Sequence, residues 1–384
     1  MCGETRFVSL FKSLDGDQTG TIGPVLDIYQ QNHTNQGQHN TEHQMPVDLR
    51  SPQQDRPHKE SDTSKRRVLG RYKEAYVHAM PARSKPDDIL VFDRNAVRRH
   101  RDRAAVKFTS HDFLHREIAG QLANRLHDVK RNFTTALDLG GGHGVTIFDP
   151  TPETLVTADL SERLLKQVPA GPRVSGDEEF LPFADGVFDL IASTLSLHWV
   201  NDLPGALVQI RRMLKPDGLF LAAMLGGDTL IELRRAFLEA EAETTGGTSP
   251  HTSPVADVAD VGALLQRAGF ALPVIDTDTI TVTYSDMFAL MHELRGMGEA
   301  NAAAARSRAG LRRDTLFAAA ARYQELYADD DGRIPATFQI IWMIGWAPHE
   351  RQQQPLRPGS GTTRLADALE TKEQAAGDTA LPEK

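Results

Sequence analysis

The sequence predicts an α/β protein: a doubly wound, seven-stranded sheet with a helical insertion between its last two strands. Three observations carry that expectation. Ala136-Leu-Asp-Leu-Gly-Gly-Gly-His-Gly144 is an apolar run, an acid and then a glycine-rich turn. Short apolar runs then alternate with helical sequence up to Met224. Finally, two β-rich runs near the C-terminus stand about fifty residues apart, too far for a bare connection.

The elements follow in order. Asp93 to Ala105, with the basic cluster Arg98 to Arg103, reads as the solvated face of an N-terminal helix. His111 to Arg125 continues helically, with Phe113, Ile118 and Leu122 at core-like intervals. Thr134 to Leu139 is a buried strand, and its glycines let the backbone turn tightly against a ligand. Leu155-Val-Thr-Ala-Asp159 is the second strand, and Val187 to Ser193 the fourth. Leu214 to Met224 supplies a helix end, a Pro-Asp-Gly turn and the fifth strand. Helices follow at Thr229 to Glu243 and at Asp260 to Ala268, the latter stopped by Gly269. Leu272 to Tyr284 alternates β-branched with polar residues as a sixth strand, and Thr337 to Trp346 closes as the seventh. Between them, Asp286 to Leu294 and Arg313 to Tyr327 look helical.

Composition bounds the function classes. The net charge of −9 argues against a general nucleic-acid binder, and the basic clusters at Lys65 to Arg67 and Arg98 to Arg103 have no recognition motif beside them. The only cysteine is Cys2, so there is neither a disulfide framework nor a zinc cluster. No apolar stretch reaches membrane-spanning length, and the first residues lack the charged start and apolar run of a signal peptide. Gln30 to His43 is a polar low-complexity stretch, and His33, His39 and His43 read as part of it and not as a metal tract. The early acids Glu4, Asp15, Asp17 and Asp27 fit a transit peptide poorly. The expected organisation is a disordered extension over 1–85, one domain over 86–350 with the insertion at 285–330, and a flexible tail over 351–384.

The glycine spacing narrows the chemistry. A dinucleotide fingerprint needs G-x-G-x-x-G, but the third position here is Val145 and Gly144 falls one residue early. The G-x-G-x-G pattern instead resembles the first motif of the class I S-adenosylmethionine (SAM) methyltransferases, whose fold is Rossmann-like. Asp159 stands about twenty residues on, where a carboxylate accepts two hydrogen bonds from a ribose diol. Gly176-Asp-Glu-Glu-Phe-Leu-Pro-Phe183 is similar to the segment that approaches the adenine amine in that superfamily. The resemblance implies SAM as cofactor, lying over Gly140, Gly142 and Gly144, with Asp138 ordering the loop, Asp159 on the ribose, and Asp177 and Glu178 bordering the adenine.

From about Asp88 to Arg357 the chain resembles the methyltransferase-like assembly factors of respiratory complex I, some of which are arginine hydroxylases. The segments that carry this include Val91-Phe-Asp-Arg94, Arg131-Asn-Phe133, Ser196-Leu-His-Trp-Val-Asn-Asp-Leu-Pro204 and Met224-Leu-Gly-Gly-Asp-Thr-Leu230. Further on they are Ser249-Pro-His251, Arg295-Gly-Met-Gly-Glu-Ala-Asn301, Arg313-Asp-Thr-Leu316 and Ile344-Gly-Trp-Ala-Pro-His-Glu350. One departure is Gly141, where many members carry cysteine. The resemblance implies hydroxylation of an arginine on the quinone-junction iron–sulfur subunit of complex I, in the cytoplasm of a bacterium or at the mitochondrial matrix or inner-membrane periphery of a eukaryote.

Ligands in open α/β sheets sit beyond the carboxyl ends of the strands, so His198 and Trp199 are expected near the methyl donor or the substrate entrance. Glu299, or Asp286, is expected to pair with a target guanidinium under a cap hinged at Gly296 and Gly298. A non-haem iron triad needs two histidines and a carboxylate converging, and nothing in their spacing unites His198, His251 and His292. No metal site is expected. Two other readings stay open: an O-methyltransferase on a malonyl-acyl-carrier thioester, and a SAM-bound assembly chaperone without catalysis. Residues 1–79 are expected to be dispensable, with Met80 as an internal start. A chain beginning at Met80 should melt at the temperature of the full chain and bind SAM equally well; a large loss of stability would show that the extension packs on the domain.

Overall fold

The computed structural model describes residues 90–372 apart from 147, 170, 248, 308–309, 354–359 and 362. The polar N-terminal stretch, Lys65 to Arg67 and Met80 lie outside the described residues.

Helix α1 (Arg94–Ala104) starts where the Asp93 carboxylate accepts from the Ala96 N–H, and α2 (Phe113–His127) follows a short 3-10 turn at Phe108–Ser110. Then come β1 (Thr135–Leu139), β2 (Thr154–Asp159), α3 (Glu162–Leu165), β3 (Arg173–Ser175), β4 (Phe188–Thr194) and α4 (Leu203–Met213). The second half runs β5 (Leu214–Leu225), α5 (Ile231–Thr245), α6 (Val258–Arg267), β6 (Ala271–Tyr284), α7 (Met287–Met297), α8 (Arg313–Tyr327) and β7 (Ile334–Trp346).

The seven strands are ordered β3-β2-β1-β4-β5-β7-β6. Strands β1 to β5 pair in parallel; β7 runs antiparallel between β5 and β6. That is the expected doubly wound sheet, with the order reversing between β1 and β4. The Pro-Asp-Gly segment is not a turn ahead of β5 but a bulge inside it: Leu214 pairs with Phe188, Leu219 with Leu190, and Asp217 sits at φ 63°. The third strand is only three residues long, partly exposed, and too short to leave a periodic signal.

Two apolar layers hold the sheet. On one face α2, α5, α7 and α8 bury Ile118, Leu122, Leu190, Leu221, Phe237, Leu290, Tyr323 and Phe338. On the other, α4 and α6 bury Leu137, Ile191, Leu207, Ile210, Phe220 and Leu265. The insertion is anchored to the sheet because Tyr323 Oη donates to the Pro335 carbonyl at 2.7 Å from a fully buried ring. Two expectations for the insertion change. Asp286 caps α7 by accepting from the Ala289 N–H at 2.9 Å, so it is a helix-start residue and not a guanidinium partner. Gly296 lies within α7 against His111, where an added Cβ would stand 2.3 Å from the imidazole carbons; it is a packing glycine and not a hinge. Gly298 at φ 89° ends the helix. The segment 348–384 forms a unit of its own, and its described residues hold one four-residue helix, Leu365–Ala368.

Candidate functional site

The carboxyl ends of β1, β2 and β4 meet the glycine loop. Gly140 adopts φ 75°, and a Cβ there would stand 2.2 Å from Ser196; at Gly142 it would stand 2.8 Å from the Asp159 carboxyl carbon. At Gly141 it would collide with the Asp138 carboxylate, whose side chain folds back over that glycine. The absence of a side chain at 141 therefore decides where Asp138 lies. Asp138 is buried, accepts from Thr146 Oγ1 at 2.9 Å, and burial pushes its pKa up to about 7. Gly144 turns at φ 69° in open space. His143, inside the loop, accepts at Nδ1 from the Val145 N–H, faces the Thr194 carbonyl through Nε2, and burial lowers its pKa to about 4.

Asp159 accepts from the Gly142 N–H at 3.1 Å and the Ser161 N–H at 2.6 Å. Its third partner was not foreseen. Arg101, on α1, reaches Asp159 at 3.4 Å, Glu178 at 3.1 Å and Ser196 Oγ at 2.9 Å while only 7% exposed. Two turns earlier, Arg94 forks onto Asp177, pairs closely with Glu178, and donates to the Trp199 carbonyl. Burial alone would raise the Glu178 pKa, but Arg94, Arg101 and the Ser196 hydroxyl reverse this and hold it at about 2. The expectation that α1 presents a solvated basic face is thus corrected for Arg94 and Arg101. Their spacing of seven puts both on one helical face, a signal the sequence did contain. Arg98 and Arg99 remain exposed.

His198, Trp199 and Glu299 converge. His198 Nε2 is 3.0 Å from Glu299 Oε2, and Trp199 Nε1 donates to Glu299 Oε1 at 3.4 Å. Glu299 is not a solvated acid of the insertion: its side chain is 7% exposed. Trp199 also packs edge-on against Phe92 at 5.6 Å, so it belongs to the core and to the site at once. His198, Trp199 and Glu299 line a cavity of about 270 Å³ whose apolar wall includes Leu225, Leu233, Phe237, Met291 and Leu294. His251 lies on the same wall and pairs with Glu241 at 3.1 Å, whereas His292 packs on His111 instead. Of the two charged side chains among the described lining residues, Arg306 is neutralised by Asp93 at 2.8 Å; the other is Glu299. Among the described residues no cluster of three or more His, Cys, Asp or Glu side chains has a metal-binding arrangement.

Residues 137–222 match the profile of a methyltransferase domain. The chain is 48% identical over 292 residues to the human protein named arginine-hydroxylase NDUFAF5, mitochondrial, across 73% of this chain and 84% of the human one. The zebrafish protein of that name is 46% identical, across 72% and 89%. A malonyl-[acyl-carrier protein] O-methyltransferase of Laribacter hongkongensis is 35% identical, across 70% and 94%.

The raised pKa of Asp138 sets a pH signature. The folded protein holds that proton more tightly than the unfolded chain, so this stabilisation is complete below about pH 4 and lost as pH rises through about 7. Asp138→Asn, which never ionises, should remove it. In urea titrations the parent should lose stability relative to the variant across that window; parallel curves would show that Asp138 is not buried as described.

Proposed function

We propose that this chain, which belongs to the arginine-hydroxylase NDUFAF5 family, hydroxylates an arginine on the quinone-junction iron–sulfur subunit of respiratory complex I during assembly. It is an enzyme of the class I SAM-dependent methyltransferase superfamily, and SAM is its cofactor. The residues present suit that cofactor. A carboxylate offers about four acceptor positions. Asp159 uses three, and its side chain is fully buried beneath Arg101, so a ribose hydroxyl reaches the fourth only where the 3.4 Å contact to Arg101, the longest of the three, gives way. Gly140, Gly142 and Gly144 would carry the cofactor, Asp138 would order their loop, and Asp177 and Glu178 would border the adenine while held by Arg94. Bound SAM supplies a sulfonium with an electrophilic methyl group.

The observation that supports an arginine substrate is the charge of the cavity. With Arg306 neutralised by Asp93, the remaining charged wall residue is Glu299. A guanidinium brings the opposite charge and three methylenes for the apolar wall, whereas a malonyl carboxylate brings the same charge as Glu299. The volume of about 270 Å³ lies near the small end of ligand cavities, roughly 300–1,000 Å³, and suits one side chain. Among the described residues no helix is long and apolar enough to cross a membrane. The reaction belongs in the cytoplasm of a bacterium, or in the mitochondrial matrix or at the inner-membrane periphery of a eukaryote.

The test offers the protein, with labelled SAM, both the iron–sulfur subunit and a malonyl-acyl-carrier substrate, in an extract that supplies physiological oxidants. Mass spectrometry should find one added oxygen on a subunit arginine. A methyl mark on the acyl carrier would establish the O-methyltransferase reading, and no covalent change to either would favour a chaperone.

A further inference from the structure

Glu299 was expected to hold the substrate, but its two carboxylate oxygens are already occupied by His198 Nε2 at 3.0 Å and Trp199 Nε1 at 3.4 Å. With one hydrogen bond on each oxygen and its side chain 7% exposed, Glu299 offers a guanidinium no accessible fork for a bidentate pair. What it can do is orient the histidine. In a neutral imidazole one nitrogen donates and the other accepts, and the partner of the first decides which is which. With Nε2 facing a carboxylate, Nε2 carries a proton, and in the neutral ring this leaves the lone pair on Nδ1. That Nδ1 is buried and has no hydrogen-bond partner; His198 lines the cavity with its side chain 2% exposed, so a ligand meets Nδ1 by displacing the packing that covers it. A buried acceptor left unmet is unfavourable, and a ligand N–H would satisfy it. Among the described residues the other orphaned imidazole nitrogen, His115 Nδ1, belongs to a ring packed on Phe108 and His143 and is not on the cavity wall.

We infer that His198 receives an N–H of the substrate through Nδ1, and that Glu299 is a positioning residue that fixes the ring for this task. The inference rests on the arginine reading above and specifies how the guanidinium is recognised. The chain of contacts runs from guanidinium to Nδ1, and from Nε2–H to the Glu299 carboxylate. The carboxylate's charge acts across the ring on the bound cation, and Trp199 pins the carboxylate from its other side. A malonyl carboxylate has no N–H to offer this acceptor.

The test is ¹⁵N NMR of the full chain labelled at histidine, alone and with N-acetyl-arginine methylamide as a guanidinium probe. His198 should show the neutral pattern with the proton on Nε2, and the probe should shift its Nδ1 resonance. Glu299→Gln has one acceptor oxygen; turned toward His198 it keeps the Nε2–H tautomer, which the NMR reads directly, and gives up the 3.4 Å bond from Trp199, and it should bind the probe about tenfold more weakly for want of the charge. His198→Ala should lose the probe while SAM affinity, measured by calorimetry, reports that the protein is folded. A proton on Nδ1 in the parent, or an Nδ1 resonance unmoved by the probe, overturns the inference. Failure of the arginine reading appears elsewhere, as the absence of added oxygen on the iron–sulfur subunit.

Discussion

The buried pairing of two α1 arginines with the acids at the sheet's carboxyl edge is the interaction on which the rest of the site depends. Asp159 and Glu178 are both about 1% exposed, and two carboxylates sharing so dry a space do not both stay ionised without a cation. Arg101 supplies that cation between them, while Arg94 balances Glu178 and Asp177. Breaking such a pair leaves an uncompensated buried charge, which costs about 3–5 kcal/mol. The network therefore fixes α1 over the β1, β2 and β4 ends, where the glycine loop, Asp159 and Glu178 meet.

The same helix reaches the insertion. The Asp93 N–H donates to the Ala302 carbonyl at 2.9 Å, Phe92 forms a bridge with Ala303, and His100 Nδ1 lies 3.1 Å from the Ala300 carbonyl. The glycine-loop side and the cavity side are thus tied by one element. A second link is the loop after β4, where Ser196 joins the ion network and His198 and Trp199, two and three residues on, face Glu299. His198 and Trp199 on the cavity wall thus stand two and three residues from Ser196, which belongs to the ion network at the sheet's carboxyl edge.

Much of this was legible in the sequence. The glycine loop, Asp159 and the helices at α7 and α8 announce themselves through spacing and periodicity, and each falls where those patterns put it. The edge strand β3 is too short for any period, and the bulge in β5 reads as an ordinary Pro-Asp-Gly turn. The α1 arginines were misread for a physical reason. Arginine in a polar helix is ordinarily solvated, and only the acids brought from β2 and the turn after β3, with the Ser196 hydroxyl from the loop after β4, make burial favourable. Those partners are 58 to 95 residues away in the chain. Similarly, Gly296 and Asp286 resemble hinge and ligand residues until His111 and the Ala289 N–H are seen beside them. The convergence of Glu299 with His198 crosses 101 residues and leaves no local trace.

The most direct test of this account is the unfolding free energy of Arg101→Met against the parent, by urea titration of the full chain. A residue on a solvated helical face changes stability by no more than about 0.5 kcal/mol. The buried network predicts a loss of about 3–5 kcal/mol, because Asp159 and Glu178 keep their burial and lose their shared cation. An unfolding free energy equal to the parent's would contradict it and return α1 to the solvated surface.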